Sequence, residues 1–240
     1  MSTWFADRST PEATLARRLR PLADQSPGSL VIHEIYRSIQ GEGTFAGLPC
    51  VFVRLTACHL RCVYCDTAHA FHSGETLSLD QVFRRTIELG DDLVEITGGE
   101  PLLQSAVFSL VGRLADAGKT VLVETSGSLD IAPLDPRARV ILDLKTPGSG
   151  EVAANYWPNL DHIKPIDEVK FVVRHRADFD WSVERIREHN LAQRCAVLIA
   201  PVHGEVRADE LAAWILETRL PLRLQVQLHK VVWGSETRGV

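Results

Sequence analysis

The chain has 240 residues, 45% of them hydrophobic, and a formal net charge of −5. That length suits one α/β domain, or two small ones, with a core that needs no disulfide staples, and the mildly acidic balance, with no face-long Lys/Arg cluster, argues against a general nucleic-acid binder. No apolar run approaches the ~20 residues of a membrane-spanning helix, so no membrane partner is expected.

In chain order, residues 1–30 read as an N-terminal extension. Thr10-Pro11-Glu12 is a helix start, a cap followed by Pro at the first helical position, and 13–22 is helix-compatible. Pro27-Gly28 then breaks the chain. Arg17, Arg18 and Arg20 would suit a transit peptide, but Asp7, Glu12 and Asp24 dilute that reading, and a surface helix packed on the domain fits better. Residues 31–240 form the expected domain. Its predicted strands lie over 31–36, 51–55, 93–97, 120–124, 140–145, 168–173, 196–200 and 222–228. Amphipathic stretches over 79–89, 102–117, 179–189 and 208–218 separate several of them. Strands spaced by helices imply βαβ units and a mostly parallel sheet.

Parallel strands covered on both faces normally read as continuous apolar runs. These strands alternate instead. Val51, Val53 and Leu55 oppose Phe52, Arg54 and Thr56, while Val94 and Ile96 oppose Glu95 and Thr97. Leu142 and Leu144 oppose Asp143 and Lys145; Val169, Phe171 and Val173 oppose Lys170; Leu224, Val226 and Leu228 oppose Gln225, Gln227 and His229. An antiparallel sheet with one wet face would give this pattern. With intervening helices, the better reading is a full or partial β/α barrel whose mouth is lined for a polar ligand.

Five cysteines are an odd number, and three of them crowd between positions 58 and 65. A disulfide framework would spread them in pairs; crowded thiols point to metal binding in a reducing compartment, the cytoplasm. Cys58-His59-Leu60-Arg61-Cys62-Val63-Tyr64-Cys65 is a C-x₃-C-x₂-C loop directly after a strand. Three thiolates on one loop suit a [4Fe–4S] cubane whose fourth iron stays open for a chelating substrate, as S-adenosylmethionine is. A zinc site completed by His59, His69 or His72 is the competing reading, but no second ligand pair appears. Cys50 and Cys195 read as buried structural thiols.

With these residues in hand, the chain resembles the radical S-adenosylmethionine superfamily and, within it, the 7-carboxy-7-deazaguanine synthase family. The resemblance runs from about residue 31 to the C-terminus. It rests on Ile39-Gln40-Gly41-Glu42-Gly43, Phe52-Val53-Arg54, the cysteine loop continuing as Asp66-Thr67, Thr97-Gly98-Gly99-Glu100-Pro101, Glu124-Thr125-Ser126-Gly127, Lys145, Lys170, Gln227-Leu228-His229 and Trp233-Gly234. It implies a partial β/α barrel of the radical type with the cluster on Cys58, Cys62 and Cys65. It also implies that Tyr64, Cys65, Asp66, Gly99, Ser126, Lys145 and Lys170 hold S-adenosylmethionine. An internal ion-pair network is the alternative for Asp143, Lys145 and Lys170.

By the same resemblance, Ile39, Gln40 and Gly41 bind substrate through their backbone, with Glu42 close by and Thr97 and His229 completing the pocket. Arg54 would grip a substrate carboxylate; its alternative is a salt bridge to Glu95 or Glu124. Thr67 would supply its hydroxyl to Mg²⁺, or else merely cap the loop. The implied reaction contracts the ring of 6-carboxy-5,6,7,8-tetrahydropterin to 7-carboxy-7-deazaguanine and releases ammonia. The implied partners are a small electron carrier such as flavodoxin or ferredoxin and a second copy of the chain. The last residues, Arg238-Gly239-Val240, would set a carboxylate near the pocket. A glycyl-radical activase and a non-enzymatic metal or electron-transfer module are the remaining alternatives; neither needs Gln40-Gly41-Glu42-Gly43 beside Arg54.

Overall fold

The computed structural model describes residues 10–235, 237 and 239. Nine strands make one sheet: β1 (Ser29–Ile39), β2 (Pro49–Leu55), β3 (Glu75–Ser78), β4 (Leu93–Gly98), β5 (Thr120–Thr125), β6 (Arg139–Leu144), β7 (Glu168–Val173), β8 (Ala196–Pro201) and β9 (Leu222–Leu224). Their spatial order is β3-β1-β2-β4-β5-β6-β7-β8-β9. From β2 through β9 neighbouring strands pair in parallel. The edge strands β3 and β9 do not meet, so the described strands form an open, partial barrel, as expected.

The alternation does its predicted work. Val94, Ile96, Val121, Val123, Leu142, Leu144, Val169 and Phe171 are buried in the main core on one face. There they meet α2 (Leu79–Glu88), α3 (Ala106–Asp116), α4 (Arg176–Glu188), the single turn α5 (Leu191–Arg194) and α6 (Ala208–Thr218). Helix α3 shows why: Val107, Leu110, Val111 and Leu114 recur at helical spacing and all are buried. Ser78 and Gln81 close a reciprocal capping box that starts α2. The other face carries a smaller apolar floor of Cys50, Phe52, Leu93, Leu122 and Ile141, with Tyr36 and Phe45 against it. Above that floor the inner face is polar.

Three features go beyond or depart from the reading of the sequence. First, within the mostly parallel sheet expected, β1 pairs antiparallel with both β2 and β3. Residues 40–48 between β1 and β2 are too few for a crossover, which takes a dozen or more, so this connection can only turn back. Second, the last strand stops at Leu224 and residues Leu228–Trp233 form helix α7. After Gln225 donates its N–H to Ile199, the chain leaves the sheet, because the side chains of Gln225 and Gln227 turn to the Glu42 carboxylate. The Leu228 N–H then bonds the Gly41 carbonyl at 2.9 Å. Third, the helix expected over 102–117 is a 3₁₀ turn at Pro101–Leu103 followed by α3.

In the extension, Pro11–Leu19 is helix α1, capped by the Thr10 hydroxyl, with a 3₁₀ turn at Arg20–Leu22. Asp7, Arg238 and Val240 lie outside the described residues.

Candidate active site

The cysteine loop leaves the C-terminal end of β2, where ligands of open parallel sheets bind. Ala57, just before Cys58, has φ +76°, a left-handed backbone that a non-glycine residue adopts only when its surroundings impose it. The loop is pinned from several sides. The Ala57 N–H donates to Ala70, and the Gly99 and Glu100 N–H groups donate to Leu55 and Ala57. The Arg61 guanidinium donates to the Cys58 and Leu60 carbonyls at 2.7 Å each and lies over the Phe71 ring. A Cβ on Gly99 would fall 1.9 Å from the Ala57 carbonyl oxygen, so only glycine lets β4 meet the loop this closely.

Cys58, Leu60 and Phe71 form a buried cluster with Cys62 and Cys65 packed against it. Burial pushes the Cys58 thiol up to about 12 and the Cys62 thiol up to about 11, and it raises Cys65 as well. Thiols in a redox C-x₂-C pair are shifted the other way. Buried thiols of this kind become thiolates when a cationic centre balances them. Among the described residues, the three sulfurs do not form a group lying within 4.8 Å of one another. A zinc ion with Zn–S bonds of about 2.3 Å would draw its sulfurs closer, whereas a cubane spreads them over three irons. Cys50 is fully buried in the apolar floor and Cys195 packs on the main core, both away from this loop.

All the residues assigned to cluster, cofactor and substrate line one cleft of about 520 Å³. On the side of the cysteine loop, Gly98 and Gly99 line the cleft, and Tyr64 donates its hydroxyl to the Val172 carbonyl. Lys145 pairs with Asp143 at 2.9 Å; burial opposes its charge, but Asp143 wins and its pKa rises. The second oxygen of Asp143 is buried without a partner. An orphaned acceptor in the same cleft as three thiols fits a ligand that brings its own donors, as the amine and ribose of S-adenosylmethionine would. Ser126 is tied to Glu100, whose fully buried carboxylate accepts from Leu102 N–H, Thr125 Oγ1, Ser126 N–H and Ser126 Oγ. Glu100 thus welds the ends of β4 and β5 under the cleft, with no Lys or Arg hydrogen-bonded to it among the described residues.

The opposite side is a carboxylate–amide–lysine layer. Glu42 accepts from Lys170 at 2.5 Å, from Gln225 at 2.6 Å and from Gln227 at 2.8 Å, and Lys170 also reaches Glu124 at 2.8 Å. Burial opposes the Lys170 charge, but Glu124 and Glu42 hold its pKa above the usual lysine value. Gln40 donates its side-chain amide to Glu95, and its amide oxygen accepts from the Glu42 N–H. Both main-chain groups of Gln40 already pair with Gly47 and Leu48, and the Gly41 carbonyl accepts from Leu228, so each carbonyl keeps only its second lone pair for a ligand. Gly41 is where His229 packs: a Cβ there would lie 2.2 Å from the His229 ring nitrogen Nδ1. Burial lowers the His229 pKa and keeps the ring neutral.

Asp66 stands between the two sides, accepting from Lys230 at 2.8 Å and Gln227 at 3.0 Å. Burial alone would raise this carboxyl, but the charge and hydrogen bond of Lys230 hold it well below the usual range. The Thr67 hydroxyl donates to Asp66 at 3.0 Å and makes no capping bond, so the capping alternative does not apply. Thr97 donates to Glu124 at 3.4 Å. The Arg54 alternative also fails in detail. Its partners are Glu34 at 2.7 Å and the Tyr36 hydroxyl at 2.9 Å on β1, not Glu95 or Glu124. The antiparallel register sets Glu34 directly opposite Arg54. Sequence reasoning missed Glu34, Tyr36 and Lys230. For the first two, the signal was a turn too short to allow a parallel crossover.

The sequence pattern of the radical SAM superfamily matches residues 53–215. A protein of Chlorobaculum tepidum named 7-carboxy-7-deazaguanine synthase is 43% identical over 215 residues, covering 88% of this chain and 97% of that protein. A protein of the same name from Koribacter versatilis is 42% identical over 224 residues, covering 87% and 99%. The crystal structure of QueE from Escherichia coli superposes with a TM-score of 0.67 at 24% identity, covering 84% of this chain and 95% of that one, which supports the fold. The chain belongs to the radical SAM superfamily and, within it, to the family of 7-carboxy-7-deazaguanine synthases.

Proposed function

We propose that this chain contracts the ring of 6-carboxy-5,6,7,8-tetrahydropterin to 7-carboxy-7-deazaguanine with loss of ammonia. One observation carries the assignment to this chain: a single cleft joins a three-cysteine loop to an amide–carboxylate layer and a buried arginine, the parts a radical cofactor and a carboxylated heterocycle each require.

Cys58, Cys62 and Cys65 hold the [4Fe–4S] cluster, while Tyr64, Cys65, Asp66, Gly99, Ser126, Lys145 and Lys170 surround S-adenosylmethionine. When bound, the pair would supply the radical chemistry that activates a carbon–hydrogen bond of the pterin. The rest is the chain's own work. Gln40, Glu42 and Glu95 present acceptors and donors to the edge of a planar heterocycle, and the Ile39–Gly41 backbone, Thr97 and His229 close around it. Burial, then Glu124, raise the Glu95 carboxyl well above its ordinary value, so its proton is available as a hydrogen-bond donor. Arg54, exchanging Glu34 for the substrate carboxylate, neutralises that charge. Thr67 would offer a hard oxygen to Mg²⁺, an ion that prefers oxygen ligands.

The catalytic barrel begins with β1 at Ser29, two residues before the boundary expected from the sequence, and the residues before it are an extension. A flavodoxin- or ferredoxin-type donor reduces the cluster, and the setting is cytoplasmic; among the described residues no helix is long and apolar enough to cross a membrane. Two copies pair through apolar surface of the kind that Leu224, Val226, Val231 and Val232 expose. The test is anaerobic incubation with reductant, Mg²⁺ and the pterin, following product and 5′-deoxyadenosine together. Many products per S-adenosylmethionine consumed are expected. A fully loaded cluster that yields no deazaguanine defeats the proposal.

A further inference from the structure

At the rim of the cleft, two histidines without a role so far converge on Glu34, the partner of Arg54. We propose that His33, Glu34 and His69 bind one divalent transition-metal ion of the zinc class, at a site separate from the cysteine loop and from Thr67. One ring nitrogen of each histidine and one carboxylate oxygen of Glu34 all lie within 4.8 Å of one another, and all three residues are half-buried. Two imidazoles and a carboxylate are the donor set of open zinc-type sites, with room for water or a ligand in the remaining position.

The backbone is shaped for this convergence. His33 and Glu34 are neighbours on β1, and in a regular strand they would point to opposite faces. The pairing of β1 with β2 shifts between Ile32 and Glu34: Ile32 faces Leu55, Glu34 faces Arg54, and His33 is the extra residue. Such a bulge re-aims a side chain, and here it brings both neighbours toward His69. His69 arrives from the short 3₁₀ turn Ala68–Phe71 that follows the cysteine loop.

The His33 imidazole is also set for ligation. Nδ1 of His33 lies 2.8 Å from the Ser73 carbonyl, which can only accept. That bond fixes the proton on Nδ1 and leaves Nε2 with the lone pair, the outer-shell arrangement typical of metal-binding histidines. The two ring centroids are 5.1 Å apart and the planes are tilted by 58°, so the rings are not stacked face to face. Glu34 gives one oxygen to Arg54 at 2.7 Å and keeps the other. The ion and the Arg54 guanidinium therefore share one carboxylate.

The full-length, cluster-loaded protein, in which the three cysteines are occupied, is titrated anaerobically with Co²⁺ and then with Zn²⁺ in excess Mg²⁺. One equivalent of Co²⁺ is expected, with ligand-field absorption of nitrogen and oxygen donors, displaced by Zn²⁺ while iron content stays constant. His33→Gln and His69→Gln should each weaken binding by about tenfold or more. Both keep a polar side chain, and unchanged iron content and circular dichroism show that they fold. Absence of stoichiometric binding, thiolate-to-cobalt bands, or undiminished affinity in both folded variants would overturn the proposal.

Discussion

Arg18 of α1 donates to the backbone carbonyl of His59 at 2.5 Å, tying the N-terminal helix to the middle of the cysteine loop. It also approaches Glu151, which accepts the Arg61 N–H of the same loop at 2.6 Å. The extension therefore has a mechanical role, bracing residues 58–61 from outside the barrel. Arg18→Ala should cost about 1–2 kcal/mol, the scale of a charged donor's hydrogen bond in a partly shielded site. The measurable signs are a lower denaturation midpoint and faster iron loss under chelator challenge. Identical iron retention in both proteins would show that the brace is idle.

Gly99 and Gly112 make a matched pair of tests. A methyl group on Gly99 would strike the Ala57 carbonyl at 1.9 Å and approach the Cys58 Cβ at 3.0 Å, with backbone that cannot yield without moving the loop. On Gly112, inside α3, the nearest atom is a flexible Asp135 oxygen at 3.6 Å. Gly99→Ala should lose most of its iron while keeping its secondary structure. Gly112→Ala should keep its iron and gain up to about 1 kcal/mol from helix propensity. Equal iron content in the two variants would mean that β4 does not hold the loop.

Much of this was legible beforehand because the strands alternate. The period-two pattern separated the helix-covered face from the polar one, and the cysteine spacing fixed where the site opens. What sequence could not carry were pairings set by tertiary register. Arg54 was expected to meet a carboxylate, but Glu34 rather than Glu95 is its partner, because β1 turns back on β2. The segment 225–229 alternates as a strand would, yet Gln225 and Gln227 are drawn off to Glu42 and the chain enters α7. A buried carboxylate seeking donors outweighed a local propensity.

Glu95 gives stability a pH dependence. Its folded-state pKa is raised by burial first, then by Glu124 on β5, while Gln40 and Arg54 oppose and Glu42 adds to the rise. A raised carboxyl stabilises the fold fully below its unfolded value, about 4.3. That contribution is lost as pH rises through the folded value. Glu95→Gln mimics the neutral form and should flatten this decline, with the variant gaining on wild type as pH increases from acidic to mildly alkaline. Urea midpoints across that range give the comparison, and a pH-independent difference between the two proteins would refute it.

The Thr67 hydroxyl donates to Asp66 and caps nothing, so its oxygen is free to meet a cation from the cleft side. Thr67→Ala should lose Mg²⁺ stimulation with the cluster intact, and Thr67→Ser should recover much of it. Equal Mg²⁺ activation of wild type and Thr67→Ala would remove the residue from the ion's coordination.

The role of Arg54 can be decided by the sign of one mutant effect. Its guanidinium is held by Glu34 at 2.7 Å and by Tyr36 at 2.9 Å, and its side chain is only 16% exposed. If Arg54 binds the substrate carboxylate, that carboxylate must compete with Glu34. Removing Arg54 should then weaken pterin binding by roughly 2–5 kcal/mol, since a buried charge is left unpaired, while S-adenosylmethionine still binds. Arg54→Lys should recover little, because an ammonium cannot offer the two-pronged contact. Glu34→Gln separates grip from scaffold: releasing the arginine should tighten pterin binding if Arg54 grips the substrate. If Arg54 only cements β1 to β2, the same change loosens the cleft and weakens binding. Binding is measured by anaerobic calorimetry on cluster-loaded protein with Mg²⁺ as the only added metal. Weaker pterin binding in Glu34→Gln, with iron content unchanged, would return Arg54 to a purely structural role.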